Sequence, residues 1–349
     1  MTTEDAIRLP EICELLEAKQ PKVREQGLEG LQRAMVRNST LTWVDNCGDL
    51  AYSFFRGLKM ATGSQYCAFL GFLNRFFITD TEGTMIEALM SEAPSGFFSG
   101  LANDTPNEAE AIAGVYTLTT FILFAAPDEH TEKVVDLLTY AVESNRNDDV
   151  LAALFYCLAV LFTISPEYVR ETWLDSKRMH RLHLLLTQPS TEVAEAIGHF
   201  ILLLAAKGDD VWAQYLEDFR EIAETSGKSV ARGTSGSLRS IFSTYVDELT
   251  TRKFTKVQLT LMRHDSISIK SRGMYARYRF VQLALGVFSD KDGIIAGNNS
   301  VRDFLGLEAA ASINVREDGV LVEALRSEQE RELRQAEKRN RKARANGRR

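Results

Sequence analysis

Apolar residues recur three and four apart through most of the first 225 positions, the spacing that puts them on one side of an α-helix. Within Val23 to Met35 the stripe is Leu28, Leu31 and Met35. It returns as Phe69, Phe72, Leu73 and Phe76, then as Ile112, Val115, Leu118 and Ile122. Two more follow, one of Leu151, Leu154, Phe155, Leu158 and Phe162, the other of Val193, Ala196, Ile197, Phe200 and Leu204. Their midpoints fall near 31, 73, 117, 156 and 199, a step of about 40 to 45 residues. A repeat of that length, with a more amphipathic helix between successive buried ones, is the pattern of armadillo and HEAT-like arrays.

The intervening segments fit. Thr131 to Val142 sets Val134, Leu137, Leu138 and Ala141 against Glu132, Lys133 and Asp136. Pro166 to Leu174 and Val211 to Ile222 take the same place after the fourth and fifth stripes, and Gly and Pro punctuate the joints. Residues 1–225 are therefore expected to form an armadillo/HEAT-like helical solenoid, with about five repeats between 10 and 225. Such an array is a scaffold for an extended partner.

The composition changes at Ser226. SGKSVARGTSGS holds three Gly and four Ser in twelve residues, so 226–237 is expected as a linker. A small α+β region is expected over 238–312. It opens with a helix from Leu238 to Leu249 whose apolar side is Leu238, Ile241, Phe242, Tyr245 and Leu249. Val257, Leu259 and Leu261 then alternate with polar residues, as do Ile267 and Ile269, which predicts a hairpin turning at Arg263 to Asp265. A helix from Ser271 to Val287 presents Arg272, Arg277 and Arg279 beside Tyr275, Tyr278 and Phe280. A turn is expected over Asp290 to Asn299, then a short helix from Ser300 capped by Ser300 itself.

Charge sharpens the division. The chain carries a net −7, yet its last twelve residues, KRNRKARANGRR, hold seven basic side chains and no acidic one. From Lys228 to Arg279 eleven basic residues face three acidic ones, a net +8. The remaining 285 residues carry −22. Positive charge gathered on an acidic chain points to an anionic partner, of which phosphate backbone is the commonest. Residues 313–349 are expected as a basic C-terminal helix, because Arg326 to Ala345 lacks Gly and Pro and is rich in strong helix formers. Leu333 is the one large aliphatic residue there, so core packing cannot hold it.

The order Arg239-Ser-Ile-Phe242, the hairpin-like segment, MYARYRFVQLALGVF, Asn299-Ser-Val-Arg302-Asp-Phe304-Leu-Gly306 and finally ERELRQAEKRNRKAR resembles the C-terminal half of the interferon-related developmental regulator family. The helical repeats in front are similar to that family's armadillo-like domain. Val301 stands where the family has Leu, Ser300 where it favours Glu, and no Gly-Pro pair follows Phe304. The resemblance implies a cytoplasmic factor on ribosomes that are not translating, contacting rRNA and ribosomal proteins. Its basic helix would enter the mRNA channel and its solenoid would lie across tRNA sites. A transcriptional co-regulator role also attaches to the family. That leaves a nuclear adaptor, with KRNRKAR as an import signal, as the alternative.

The expected nucleic-acid contacts are Lys338, Arg339, Arg341, Lys342, Arg344, Arg348 and Arg349 in the tail, with Arg272, Arg277, Arg279 and Arg302 upstream. Two uses of the central helix stay open: Tyr275 and Tyr278 stacking on bases, or the same aromatics packed in a core. Other chemistry is thin. Gly227-Lys228-Ser229 lacks the earlier glycine and the strand of a phosphate-binding loop. His180 and His183 have no third ligand nearby in sequence. His264-Asp265-Ser266 are too close along the chain to form a triad, and Asp290 to Gly293 places Ile294 where a calcium loop needs oxygen. No enzyme activity, cofactor, metal or small-molecule substrate is expected, and a monomer is. The acidic start MTTEDAIRLP does not read as a secretory leader, and the longest nearly apolar run, Leu151 to Ile164, is too short to span a membrane. Four scattered cysteines are expected as free thiols.

Overall fold

The computed structural model of the chain describes residues 9–37, 46–101, 107–126, 131–144, 147–186, 190–206, 210–225, 235–262, 265–286, 288 and 291–308. It is mostly helical with one small two-stranded sheet. In chain order the helices are α1 (Leu9–Leu16), α2 (Pro21–Arg37), α3 (Cys47–Met60), α4 (Ser64–Thr79), α5 (Thr84–Glu92), α6 (Phe97–Gly100), α7 (Glu108–Phe124), α8 (Thr131–Ser144) and α9 (Asp148–Phe162). Next come α10 (Glu167–Glu171), a 3-10 turn at Thr172–Leu174, α11 (Ser176–Leu186), α12 (Thr191–Ala205), a 3-10 segment at Asp210–Tyr215 and α13 (Leu216–Thr225). The rest is α14 (Ser235–Thr251), β1 (Val257–Met262), β2 (Asp265–Ile269), α15 (Arg272–Ala284), α16 (Lys291–Gly297) and α17 (Asn299–Leu305).

The long buried helices form a row in which α4 packs on α7, α7 on α9, α9 on α12 and α12 on α14. Each of the expected stripes lies in the core, Ile112 alone being only half-buried. Local chemistry sets where the row members begin. Asn107, Asn147 and Ser190 stand in extended conformation just before α7, α9 and α12, and their side-chain oxygens accept from Glu110, Val150 and Val193 N–H. Acidic residues fill the first turns, where they suit the helix dipole. Helix α9 is apolar on every side because α7, α8, α12 and α15 surround it.

Neighbours in the row are also tied by polar contacts about one step apart in sequence. Thr117 Oγ1 donates to Leu70 O at 3.3 Å, Cys157 Sγ to Val115 O at 3.8 Å and Arg75 Nη2 to Met35 O at 2.9 Å. Close approach requires a glycine between α12 and α14: a Cβ on Gly198 would sit 2.7 Å from Cε2 of Tyr245. Helix α14 thus extends the row past residue 225, one step beyond the fifth stripe. Residues 235–237, expected as linker, are its first turn, while 226–234 lie outside the described residues.

The hairpin forms with antiparallel register Val257↔Ile269, Leu259↔Ile267. Its expected turn includes 263–264, outside the described residues. Helix α15 then crosses the row in reverse order. Its start meets α12 and α14, Phe280 approaches Tyr116 of α7, and the carbonyl of Ala284 accepts from Asn74 Nδ2 of α4. Residues 238–308 therefore pack against the helices before them, and the described residues up to Glu308 belong to one compact unit.

Two local expectations are corrected. Lys291–Gly297, expected as turn, is helix α16, because Ile294, Ile295 and Ala296 find burial near β1. The cap of the last short helix is Asn298, whose Oδ1 accepts from Val301 N–H, while Ser300 lies inside the helix. Asn298 is buried and its Nδ2 also donates to Thr79 O, so it ties α17 to α4. Gly306, left-handed at φ 71°, ends α17.

Candidate nucleic-acid interface

Ser271 starts α15 by accepting from Met274 N–H, and the helix then delivers three arginines at fixed angular steps. The first, Arg272, is only 4% exposed. Its Nε donates to Glu248 Oε1 at 3.0 Å, its Nη2 donates to Glu248 Oε2, and its Nη1 donates to His199 Nδ1 at 2.9 Å. The rings of Phe254, Tyr245 and Tyr275 surround the guanidinium at 5.1, 5.3 and 5.4 Å. Burial, with Arg272 and Arg279 nearby, holds the His199 imidazole well below its ordinary pKa, so it meets Arg272 as a neutral acceptor. Arg272 is a brace between α15, α14 and α12. The expectation that it faces RNA is corrected on that ground, since a buried, bidentate guanidinium has no face left for a phosphate.

Arg277 is half-buried. Its Nε donates to Thr163 Oγ1 at 3.0 Å and its Nη1 to Phe304 O at 2.9 Å, and the guanidinium lies 5.5 Å from the Phe304 ring. It joins the end of α9 to α17, and burial lowers its pKa. Arg279 lies 5.6 Å from the Tyr156 ring with Nη2 3.7 Å from Glu195, its side chain 30% exposed. Arg302 donates from Nε to Glu308 O at 2.7 Å and from Nη1 to Ala296 O at 3.0 Å, binding α16 to α17. Arg272, Arg277 and Arg302 donate to this chain's own acceptors, and Arg279 pairs with Glu195.

The tail residues Lys338, Arg339, Arg341, Lys342, Arg344, Arg348 and Arg349 lie outside the described residues. So do Gly227-Lys228-Ser229 and His264. The aromatics of α15 belong to the core: Tyr278 and Phe280 are buried, and Tyr275 stands edge-on to His199 at 5.0 Å. One sequence signal for Arg272 was present. Glu248 continues the apolar stripe of Ile241, Tyr245 and Leu249 on α14, and an acid on a buried stripe needs a buried cation.

Among the described residues from 238 to 279, the exposed cationic side chains are Arg239, Arg252, Lys253, Lys256 and Lys270, at α14 and the base of the hairpin. They belong to the +8 segment, but an exposed cationic side chain leaves no mark in hydrophobic periodicity.

The other candidates take ordinary roles. His183 Nδ1 lies 2.8 Å from Asp218 Oδ2, tying α11 to α13, and among the described residues no group of three ligating side chains gathers for a metal. None of the four cysteines forms a disulfide, and burial pushes the Cys157 thiol up to about 12, far from a reactive thiolate. No helix among the described residues is long and apolar enough to cross a membrane. Compared with protein-family models and with curated proteins, the chain matches none.

Proposed function

We propose that this protein is a non-enzymatic ribosome-binding factor of the cytoplasm that occupies inactive ribosomes, its basic C-terminal segment in the mRNA channel and its helical array over tRNA sites. The observation that carries this reading is the segregation of charge: seven cations in the last twelve residues of a chain of net −7. Arg326 to Ala345, with Leu333 its one large aliphatic residue, gains little from docking on protein, whereas phosphates would hold it through Lys338, Arg339, Arg341, Lys342 and Arg344. The row α4, α7, α9, α12 and α14, with its step of about 40 to 45 residues, supports an armadillo-type solenoid as the body. Helix α15 lies along that row and packs on α4, α7, α9 and α12.

The test is ribosome co-sedimentation across a salt series. With about −0.7 in the slope of log affinity against log salt per phosphate on single-stranded RNA, five contacts give roughly −3 to −4. Replacing the five named tail residues by Gln should remove about that much slope and restore mRNA loading. A variant that excludes mRNA as well as the natural chain does would refute the channel assignment.

A further inference from the structure

The hairpin has two unlike faces. On one, Leu261, Ile267 and Ile269 are buried, and α16 packs against β1. On the other, Gln258, Thr260 and Ser266 are exposed, and Gln258 Nε2 donates to Ser266 Oγ at 3.1 Å. Lys256 and Lys270 are exposed one position beyond the Val257↔Ile269 pair, so they stand across from each other at the open end, on the polar side by strand alternation. Like charges directly opposite on neighbouring strands repel. Neither lysine, nor exposed Lys253 just before, forms an ion pair among the described residues, and no acidic residue occurs from Leu249 to Leu261 or from Ser266 to Gln282. Three like charges thus gather at the base of the hairpin, on segments that carry no acid of their own.

We propose that the outward face of this hairpin, with Lys253, Lys256 and Lys270 at its base, is an RNA-backbone docking surface separate from the tail. It takes its choice of polyanion from the ribosome reading. The hydroxyl and amide side chains between the strands donate to phosphate oxygens and ribose hydroxyls. They offer nothing apolar to insert into a lipid surface, which disfavours an anionic membrane as the partner.

The test uses the full chain with Lys253, Lys256 and Lys270 changed together to Glu, to Ala, or to Arg. The probes are purified ribosomes, a mixed-sequence single-stranded RNA of about thirty nucleotides, and phosphatidylcholine vesicles containing phosphatidylserine. Three phosphates correspond to a slope less steep by about 2 for the Ala and Glu variants, with the Arg variant retaining it. These side chains are exposed, so thermal unfolding should stay unchanged and separates lost contact from lost fold. An unchanged slope in the Ala and Glu variants overturns the proposal. So does lysine-dependent binding to vesicles with none to RNA. If the natural chain fails to sediment with ribosomes, the proposed function falls, and the oligonucleotide slope alone then decides the hairpin.

Discussion

Glu248→Ala is expected to be among the most damaging single substitutions in the chain. The carboxylate sits at 7% exposure and takes two donors from Arg272, itself 4% exposed. Truncation leaves a guanidinium caged by Tyr245, Phe254 and Tyr275 with His199 as its one acceptor among the contacts described above. Breaking a buried pair from one side costs about 3–5 kcal/mol, because the desolvated partner stays behind. Glu248→Gln keeps one oxygen acceptor and should cost about 2 kcal/mol, a little over one charge-assisted bond. The paired change Arg272→Met with Glu248→Leu removes both charges and fills the space, and should recover to within about 1 kcal/mol of the natural chain. Urea unfolding followed by far-UV circular dichroism and by the fluorescence of buried Trp173 and Trp212 measures all of these. A loss below about 1 kcal/mol for Glu248→Ala, or a double variant weaker than the single, would refute the brace. So would Arg272→Met with full stability and abolished ribosome binding, since that outcome puts the guanidinium on RNA.

The same cluster gives a pH dependence. His199 is neutral in the fold and its folded pKa lies below the unfolded value near 6.5, so the unfolded chain binds the extra proton as pH falls below about 6.5 and stability drops. The loss should approach about 1.4 kcal/mol per pH unit there, and His199→Asn should flatten it; equal slopes in the two proteins would dismiss the cause. Gly198→Ala drives a methyl into the Tyr245 ring, with neighbours at 2.7 and 2.8 Å, and should destabilise by about 1–3 kcal/mol while leaving helix content intact. Leu154, fully buried in the middle of the row, should cost about 2–5 kcal/mol as Ala. As Asp it should abolish cooperative unfolding, because an unpaired charge would be buried; a cooperative transition near the natural midpoint would count against its central place.

What the sequence determined by itself was which face of an element each apolar residue takes, a matter of residues a few positions apart. The stripes at 28–35, 69–76, 112–122, 151–162 and 193–204 are buried as their spacing required, Ile112 alone only half so, since a helix places i, i+3 and i+4 on one side whatever lies opposite. The hairpin followed for the same reason, its period of two matching the pleat. Tertiary structure alone decided what the arginines do. An arginine beside tyrosines in sequence looks the same whether the rings stack on bases or cage a buried cation. For Arg272 the answer lay in Glu248 and His199, 24 and 73 residues away. For Arg277 it lay in Thr163, 114 residues away. Helix α16 was hidden likewise, because the Gly and Asp that suggest a turn carry local preferences smaller than the gain from burying Ile294 and Ile295. Lys256 and Lys270 became neighbours only when the strand register set them side by side. Periodicity reports which face a residue takes on its own element, and partners distant in the chain decide whether that face meets protein or solvent.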